Sequence, residues 1–533
     1  MVALRDLKAG ETYECNGRSI TLQHNIPAKH KFMLRDFAPG DEVYMYGVLV
    51  GKAKQSIPLG GLMSTENITH ASGSFGYRAA QYKWSPPSVE KFKNRTFKGY
   101  VRDDGRVGTA NYWLFIPTVF CENRNLDVIR EALHNELGYA VTAKYKAKVR
   151  NLLQALQSGS DLTSLDLSPT PSSTATNRIF KNIDGIKFLN HQGGCGGTRQ
   201  DAATLSALLA AYADHPNAGG VTVLSLGCQH IQLEDFKKDL FKRNPSFKKP
   251  LLIFEQQKSQ SEEQLITEAI RQTFLGLIEL NKTERSEATL DKLVVGVKCG
   301  GSDGFSGISA NPAVGYAADI LAGLGGKILL AEFPELCGAE QELVDRCTSQ
   351  ASAEKFIHLM ETYQAEARRA GSGFEMNPSP GNIRDGLITD AIKSAGAARK
   401  GGTSPVTDVL DYTEAATKPG LSLVCTPGND VEATTGKAAA GATLILFTTG
   451  LGTPTGNPVC PTIKISTNTA LAERMKDIID IDTGAIIRGE KSIEQMGEEI
   501  FEYCIQAASG MVIPKAVQLN QDDFIPWKRG VSL

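Results

Sequence analysis

The chain has 533 residues, of which 41% are hydrophobic and 22% are charged, and its formal net charge at pH 7 is −2. This length argues against a single domain, because one hydrophobic core rarely extends beyond about 250–300 residues. The nearly neutral charge argues against a protein that binds nucleic acid or an anionic membrane, since both need an excess of Lys and Arg. We therefore expect a multidomain protein whose partner is a small molecule.

Two further features bear on location. The first residues lack the apolar run of a signal peptide, and no uninterrupted apolar stretch approaches the ~18 residues that cross a bilayer. The ten cysteines are scattered, with no CxxC pair and no short framework spacing. The sequence therefore predicts a soluble, cytoplasmic protein without a membrane partner, in which the cysteines are free thiols or individual ligands.

Residues 1–85 alternate short apolar runs with turns, which predicts a small and mostly β domain. One loop of this domain places His24, Lys29, His30 and Lys31 close together in the chain. Two imidazoles and two amines in one loop could supply a catalytic base or metal ligands. They could equally be ordinary surface side chains, and the local sequence leaves both interpretations open.

Residues 86–98 are polar with paired prolines, and they predict a linker to a second α/β domain over 99–258. In this second domain, strand-like runs alternate with helical patterns, as expected for βα units and a parallel sheet. Two of its predicted strands end in a glycine followed by a cysteine, first at Cys195 and then at Cys228. Because functional groups lie on loops at the carboxyl edge of such sheets, both cysteines mark a candidate site.

The same alternation continues through residues 259–533, the predicted catalytic α/β domain. Its apolar run 293–297 leads directly into an amine, a thiol, a hydroxyl and a carboxylate, those of Lys298, Cys299, Ser302 and Asp303. Later strands of this domain also end in polar segments, at 332–335, 426–430 and 448–454. Because the carboxyl ends of parallel strands meet at one edge of a sheet, we expect these loops to share one pocket.

The residue types at these strand ends limit the chemistry. No zinc spacing, Walker loop, serine-hydrolase elbow or dinucleotide fingerprint occurs in the right context. Oxygen ligands together with imidazole suit Mg, Mn or Fe(II), and such an ion can stabilise an enolate-like charge. A histidine or lysine nearby could remove a proton next to a carboxylate.

Motifs spread over the whole chain resemble those of the altronate/galactarate dehydratases. The motifs are His24-Asn-Ile-Pro-x-x-His30-Lys31, Asp104-Gly-Arg-Val-Gly-Thr-x-Asn111, Gly-Cys195, His215-Pro-Asn217, Cys299-Gly-Gly-Ser-Asp303, Asn377-Pro-Ser-Pro-Gly-Asn382 and Pro427-Gly-Asn-Asp430. The resemblance implies a multidomain fold, with a small SAF-like domain followed by α/β domains with largely parallel sheets.

The resemblance also implies a function, that of a hydro-lyase using a divalent metal, Fe(II) or Mn(II). The expected reaction converts D-altronate to 2-keto-3-deoxy-D-gluconate: a base removes the proton beside the carboxylate, the metal holds the enediolate, and the β-hydroxyl leaves as water. Galactarate or another hexarate or hexonate remains an alternative substrate. A sulfolactate-type lyase and a non-catalytic sugar-acid binder are further alternatives, and a homo-oligomer, a dimer, is expected.

The site residues are assigned on the same resemblance. The expected base is His24 or His30, with Lys31 assisting. The expected substrate-binding residues are Glu66, Asn67, Arg106, Asn111, Lys298, Ser302, Asn382, Thr449 and Thr453. The expected metal ligands are Cys195, Cys299, Asp303, Glu335, Asn429 and Asp430.

Overall fold

The computed structural model describes residues 1–15, 17–79, 82–168 and 178–532. It shows a small N-terminal domain of antiparallel strands followed by two larger α/β portions with parallel sheets. The predicted fold class is therefore confirmed. Within those four ranges, no helix is both long and apolar enough to cross a membrane.

The N-terminal domain is built from short strands that pair only in antiparallel fashion. The strands are β1 (Thr12–Cys15), β2 (Arg18–Thr21), β3 (Lys31–Phe32), β4 (Glu42–Met45), β5 (Val48–Ala53), β6 (Leu62–Met63) and β7 (Ile68–Thr69). They form the pairs β1–β2 and β3–β6 and the three-stranded sheet β4–β5–β7. One apolar cluster of this domain includes Leu387, Ile388 and Ile392, so the domain packs directly on the third portion.

The second portion contains a parallel sheet in the order β11–β10–β12–β13 and a small antiparallel sheet in the order β14–β8–β9. Its elements are β8 (Thr96–Val101), β9 (Val107–Gly108), β10 (Tyr112–Pro117), α1 (Asn123–Leu137), α2 (Ala143–Gln157), β11 (Gly185–Phe188), α3 (Arg199–Asp214), β12 (Ala218–Ser225), α4 (Leu233–Arg243), β13 (Leu251–Glu255), α5 (Glu262–Leu280) and β14 (Ser286–Thr289). Every residue of β10 is buried, as expected for a central strand covered on both faces.

Helix α5 packs against β12 and β13 of this parallel sheet. A Cβ added at Gly276 in α5 would lie 2.1 Å from the ring of Trp113, so the helix can only fit over this fully buried indole with a glycine. Since α5 completes the core of the second portion, we propose that the boundary to the third domain lies after this helix rather than at 258/259.

The third portion contains a seven-stranded parallel sheet in the order β17–β18–β16–β15–β19–β20–β21. Its elements are β15 (Val294–Cys299), α6 (Ala310–Gly323), β16 (Lys327–Leu330), α7 (Glu340–Asp345), α8 (Gln350–Arg369), α9 (Pro380–Arg384), α10 (Asp390–Ala398), β17 (Val406–Leu410), β18 (Gly420–Val424), α11 (Asp430–Ala439), β19 (Leu444–Thr449), β20 (Thr462–Ser466), α12 (Thr469–Arg474), β21 (Ile481–Asp482), α13 (Gly484–Ile487), α14 (Ile493–Ala508) and α15 (Lys515–Gln518). The chain first adds strands on one side of β15, through β16, and later on the other side, through β19. The point between β15 and β19 is therefore a topological switch point.

The two parallel sheets are joined near the amino ends of their strands. Thr109 Oγ1 donates to the carbonyl oxygen of Thr443 at 2.6 Å, and Asn217 Nδ2 donates to the same oxygen at 3.1 Å. His215 Nε2 lies 2.8 Å from the carbonyl oxygen of Ala442. Thr443 directly precedes β19, so this junction lies at the opposite end of that strand from its carboxyl edge.

Candidate active site

The candidate site lies at the carboxyl ends of β15 and β19, where open α/β sheets bind ligands. The Gly300 N–H donates to the carbonyl oxygen of Thr448 at 3.0 Å, which holds the two strand ends together. A Cβ added at Gly300 would lie 2.4 Å from the Asp430 carboxylate, and one added at Gly450 would lie 2.2 Å from Asp303 Cγ. Glycine at both positions therefore lets two acidic side chains approach the strand ends.

A thiol and two carboxylates meet at these strand ends. Cys299 ends β15, and Glu332 and Glu335 follow β16. One ligand atom from each of the three lies within 4.8 Å of the others, and all three residues are buried. Cys299 Sγ lies 3.5 Å from Glu335 Oε2. Glu332 has a left-handed backbone φ of 71°, a conformation that costs about 1–3 kcal/mol and is found preferentially at functional sites.

Glu332 is enclosed by lysines. It pairs with Lys298, and its Oε2 lies 3.2 Å from Lys400 Nζ and 3.3 Å from Lys437 Nζ. The side chains of all four residues are fully buried. Buried charges persist only when each is compensated, so these side chains depend on one another.

The other two carboxylates of the cluster also pair with lysines: Glu335 with Lys393, and Asp430 with Lys298 in β15. Lys393 Nζ lies 3.0 Å from Glu335 Oε1, and Lys298 Nζ lies 2.8 Å from Asp430 Oδ1. The cluster thus sets four ammonium groups against three carboxylates, which leaves one excess positive charge while Cys299 is a neutral thiol. An anionic group of a ligand would balance this charge.

The environment decides the protonation of the cluster. Burial raises the pKa of the Cys299 thiol, although Lys400 beside it acts in the opposite direction. Burial would also raise the pKa of Glu332, but Lys298, Lys400 and Lys437 hold it below its usual range. Burial lowers the pKa of Lys437 to about 8, with Glu332 opposing the shift. At neutral pH the cluster therefore contains an ionised Glu332 among mainly protonated lysines.

The group Cys299, Glu332 and Glu335 fits a single divalent ion. A thiolate with two carboxylates is intermediate between the soft sites that thiolates form and the hard sites that carboxylates form, which suits Fe(II) and Mn(II). Lys400 Nζ lies 3.2 Å from Cys299 Sγ, and its positive charge would favour the thiolate form that a metal ligand needs. Of the predicted metal ligands, Cys299 and Glu335 belong to this group.

A loop of the N-terminal domain reaches the same edge of the sheet. Lys29 Nζ lies 3.2 Å from Asp303 Oδ2 and 2.7 Å from Asp385 Oδ1. A Cβ added at Gly304 would lie 2.1 Å from the carbonyl oxygen of Lys29, so the two domains touch closely at backbone level. The N-terminal domain therefore covers the loop that follows β15.

Lys31 is the buried amine of this covering loop, with an exposed fraction of 5%. Its Nζ donates to the carbonyl oxygen of Gly386 at 2.6 Å. Burial lowers the pKa of Lys31 to about 8, although Asp303 acts in the opposite direction. A lysine with this pKa can accept a proton at mildly alkaline pH. The neighbouring His30 is only half-buried, and its Nε2 lies 3.0 Å from the carbonyl oxygen of Arg384.

A small cavity lies beside this loop, and Lys31, Ser302, Asn311 and Lys393 are among the residues that line it. Among the described residues, Ser302 Oγ is buried without a hydrogen-bond partner. Asn382 Nδ2 donates to the carbonyl oxygen of Ser302 at 2.8 Å and so holds this residue in place. Since a buried hydroxyl without a partner costs about 1–3 kcal/mol, Ser302 is a candidate ligand contact.

Three other predicted residues shape the loops around the cluster. Thr449 Oγ1 accepts hydrogen bonds from the N–H groups of Gly452 at 3.0 Å and Thr453 at 3.2 Å. Asn429 Oδ1 accepts one from the N–H of Val431 at 3.0 Å and caps helix α11. These side chains lie at the correct sheet edge, and their observed contacts are with turns and a helix start.

The structure leaves three predicted residues of the N-terminal domain away from the buried cluster. His24 is exposed, and its Nδ1 accepts a hydrogen bond from the N–H of Leu62 at 3.4 Å. Glu66 is also exposed. Asn67 Oδ1 accepts a hydrogen bond from the N–H of Ser64 at 2.9 Å and so closes its own turn.

Arg106, Asn111 and Cys195 are not brought to the cluster either. Arg106 pairs with Asp214 at 2.7 Å, and Asn111 Nδ2 donates to the carbonyl oxygen of Asn182 at 2.8 Å. Both residues precede β10 and lie at its amino end, whereas ligands bind beyond the carboxyl ends of strands. Cys195 follows β11 and lies at the carboxyl edge of the other parallel sheet.

Sequence patterns did not single out Glu332 or the helix-borne lysines as site residues. Lys393 lies in α10, Lys400 lies just after α10, and Lys437 lies in α11. Helical lysines usually point to solvent, so they carry no obvious signal. Lys393 and Lys437 nevertheless stand in runs of alanine, glycine and other small residues, and a lysine on such an otherwise apolar segment suggests a buried charge with a partner.

The fold and site agree with comparisons against known proteins. Residues 1–71 match the family model for the altronate/galactarate dehydratase SAF domain. Residues 99–281 match that for the D-galactarate dehydratase/altronate hydrolase second domain, and residues 290–532 match that for the D-galactarate/altronate dehydratase C-terminal domain.

Three curated relatives extend over most of the chain. It is 34% identical to an altronate dehydratase of Bacillus subtilis (strain 168), covering 100% of this chain and 97% of the relative. It is 33% identical to an altronate dehydratase of Escherichia coli (strain K12), with the same two coverages of 100% and 97%. It is 30% identical to the L-threo-forming galactarate dehydratase of Escherichia coli (strain K12), covering 95% of this chain and 89% of that protein.

The α/β fold and the acid–base cluster under a small β domain are thus those of a dehydratase, a hydro-lyase. The chain belongs to the altronate/galactarate dehydratase family. Both the predicted family and the predicted hydro-lyase class are confirmed.

Proposed function

We propose that this protein dehydrates D-altronate to 2-keto-3-deoxy-D-gluconate. The observation that carries the proposal is the buried Cys299–glutamate–lysine cluster at the switch point. Lys31 of the N-terminal domain lines a small cavity beside it, and Lys393, which pairs with Glu335 of the cluster, lines the same cavity. The full-length similarity to two altronate dehydratases supports this substrate.

The excess positive charge of the cluster suits a carboxylate ligand. Lys393 reaches both the cavity and Glu335, so its ammonium group can bind a sugar-acid carboxylate there. Ser302 Oγ, which has no partner among the described residues, can bind a hydroxyl group of the sugar chain. The predicted roles of Lys298, Ser302 and Asn382 in substrate binding are retained in this proposal.

Lys31 is the proposed base. Its neutral amine would take the proton from the carbon next to the substrate carboxylate, and its lowered pKa makes that form accessible near pH 8. The electron pair left on the substrate moves toward the carboxylate, whose added negative charge lies beside the ammonium groups of the cluster. The protonated Lys31 returns its proton to the β-hydroxyl, which departs as water while the electron pair of the enediolate forms the new carbon–carbon double bond. The resulting enol tautomerises to the 2-keto acid. His30, on the same loop, is the alternative base.

Cys299, Glu332 and Glu335 are the proposed holders of Fe(II) or Mn(II). When bound, such an ion acts as a Lewis acid that lowers the energy of the developing negative charge by several kcal/mol. Cytoplasmic location and assembly into a dimer remain predictions.

Anaerobic turnover tests the proposal. The full chain, purified and supplied with Fe(II) or with Mn(II), should convert D-altronate to a 2-keto acid that semicarbazide detects by absorbance. The same protein with chelator in place of metal is the control for metal dependence. Absence of turnover on every hexonate and hexarate, with either metal, would contradict the enzyme proposal.

Galactarate is the second candidate substrate, favoured by the similarity to the galactarate dehydratase. It carries a carboxylate at each end, so it needs a second anion-binding group that altronate does not. Parallel assays with both acids decide between them through kcat/KM. Release of sulfite from sulfolactate, without 2-keto acid from either sugar acid, would instead favour the sulfolactate-type lyase.

A further inference from the structure

Three of the ten cysteines differ from the rest in exposure. Cys121, Cys195 and Cys228 are exposed, whereas the other seven are buried or half-buried. They follow β10, β11 and β12 respectively, which are neighbours in one parallel sheet in the order β11–β10–β12. Parallel strands deliver their carboxyl ends to one edge, so the three thiols share it. We refer to Cys121, Cys195 and Cys228 as the three-cysteine edge.

Backbone hydrogen bonds hold the three cysteine loops together. The Phe120 N–H donates to the carbonyl oxygen of Gly193 at 3.0 Å, and the His230 N–H donates to that of Gly194 at 3.0 Å. Each of these four residues lies within two positions of one of the cysteines. A Cβ added at Gly194, whose φ is +98°, would lie 2.3 Å from the carbonyl oxygen of Thr118. The loops therefore approach as closely as their backbones allow.

A buried imidazole fixes the middle loop. His191 Nε2 lies 2.8 Å from the carbonyl oxygen of Pro117, and its Nδ1 accepts a hydrogen bond from the Gly193 N–H at 3.0 Å. Burial lowers the pKa of His191 to about 4, so the ring is neutral and uses both nitrogens in these contacts. The cysteine loops are thus held by protein contacts, as a preorganised ligand site requires.

The spacing of the thiols indicates which ligand fits. Within the described part of the chain, the group with all ligand atoms inside 4.8 Å is Cys299, Glu332 and Glu335, so the sulfur atoms of the three exposed cysteines are not all within 4.8 Å of one another. A single tetrahedral metal with bonds of about 2.3 Å needs sulfur atoms about 3.8 Å apart. Thiolates around a four-iron, four-sulfide cluster lie about 6 Å apart, a separation that does not require sulfur atoms within 4.8 Å of one another.

The electrostatic surroundings also favour an anionic cluster. Helices α1, α3 and α4 begin two, four and five residues after Cys121, Cys195 and Cys228. The partial positive charge at helix N-termini stabilises anions. Bound iron would replace the thiol protons.

We propose that the three-cysteine edge binds a four-iron, four-sulfide cluster in which three irons are ligated by cysteine and the fourth carries no protein sulfur. The cluster would be acquired preassembled from a thiolate carrier. Three bonds from iron to carrier thiolates break, three bonds to cysteine sulfur form, and the three cysteine protons pass to the released carrier thiolates. No electrons are exchanged. This site goes beyond the proposed dehydration, whose residues lie at the edge of the other sheet.

Cluster transfer tests the proposal. The full chain is incubated anaerobically with the synthetic four-iron cluster of 2-mercaptoethanol and then desalted. We expect about four iron and four sulfide per chain, with the broad visible absorption of such clusters. Mild oxidation should then release the iron that lacks a cysteine and leave a three-iron cluster with its own EPR signal. A cluster that keeps all its iron under these conditions would overturn the assignment of three ligands.

Single substitutions identify the ligands. Cys195→Ser and Cys228→Ser should each retain at least about tenfold less iron than the wild type. The control is Cys15→Ser, which removes a half-buried thiol of the N-terminal domain and should retain as much iron as the wild type. Thermal unfolding of each variant shows whether it is folded. The proposal would be refuted if the wild-type protein kept no iron, or kept iron without sulfide. It would also be refuted if a folded Cys195→Ser variant kept the same iron content as the wild type. Substrate is absent throughout, so this result is independent of dehydratase activity.

Discussion

The two parallel sheets end in similar sequences and yet form different edges. At the seven-stranded sheet, Cys299 is buried, and the carboxylates beside it are paired with lysines. At the four-stranded sheet, Cys195 and Cys228 also follow strand ends and glycines, but their thiols stay exposed. A strand that ends in glycine and cysteine therefore predicts where a thiol lies in the fold. It does not predict whether that thiol is buried or which charged side chains lie beside it.

The difference has a structural cause. The N-terminal domain and helix α10 cover the edge of the seven-stranded sheet, as the cluster shared by Met33, Val50, Ile388 and Ile392 shows. Covering the edge removes water and makes each buried charge depend on its partner. The predictions below test this dependence, from the largest expected effect to the smallest.

Glu332→Gln should produce the largest change. It removes the shared partner of Lys298, Lys400 and Lys437 and leaves buried ammonium groups uncompensated. We expect a loss of about 3–5 kcal/mol in the free energy of unfolding, measured by urea denaturation. The control is Glu414→Gln, which breaks an exposed pair with Lys355 and should change stability by no more than about 1 kcal/mol. Equal effects of the two substitutions would mean that the cluster is not a coupled unit.

Lys31→Met should lower kcat by about 10²–10⁴ while preserving the buried volume of the side chain. Because burial lowers the pKa of Lys31 to about 8, raising the pH toward 8 increases the fraction of neutral amine. The wild-type rate should therefore rise with pH and level off above about pH 8, and the variant should lose this rise.

His24→Ala and His30→Ala serve as matched tests of the other predicted bases. His24 is exposed, and its removal should leave kcat within a factor of about two. If His30→Ala abolishes turnover while Lys31→Met keeps the wild-type rate and pH profile, then His30 is the base and the role of Lys31 is wrong.

Cys299→Ser should weaken metal binding by at least about 10²-fold, since even the loss of a residue that only orients a metal ligand typically reduces affinity 10–100-fold. The dissociation constant for Mn(II), measured by EPR of the free ion, reports this directly. Cys228→Ser at the other edge is the control and should leave Mn(II) affinity at the glutamate cluster unchanged. Unaltered Mn(II) affinity in Cys299→Ser would remove this thiol from the metal site.

Lys29→Met should have a smaller effect than the substitutions of Glu332, Lys31 and Cys299. Its ion pair with Asp303 is partly buried and links the N-terminal domain to the loop after β15. We expect KM to increase about fivefold, equivalent to about 1 kcal/mol, with kcat nearly unchanged. Lys54→Met, in the same domain, is the control, since Lys54 Nζ donates to the exposed carbonyl oxygen of Thr65. A kcat that falls as much as in Lys31→Met would place Lys29 in the chemistry itself.

Much of the site was predictable because its signals are local. The alternation of strands and helices, the glycines after β15 and the polar segments after β16, β18 and β19 are all legible in short windows of sequence. They place Cys299, Asp303 and Glu335 at one sheet edge, since parallel strands run in one direction. The motif around His30 and Lys31 likewise marked the loop that covers this edge.

The rest depended on contacts between distant segments. Lys393, Lys400 and Lys437 come from helices and meet the glutamates only when those helices pack over β15 and β16. Arg106 and Asn111 stand in a conspicuous motif, but the chain direction places them at the amino end of β10. Cys195 lies on a separate sheet from Cys299. Sequence by itself determined which residues end strands, because backbone preference and burial pattern are local properties. The tertiary structure alone decided which of those ends became a buried, charge-paired site, because desolvation and ion pairing arise only when domains pack together.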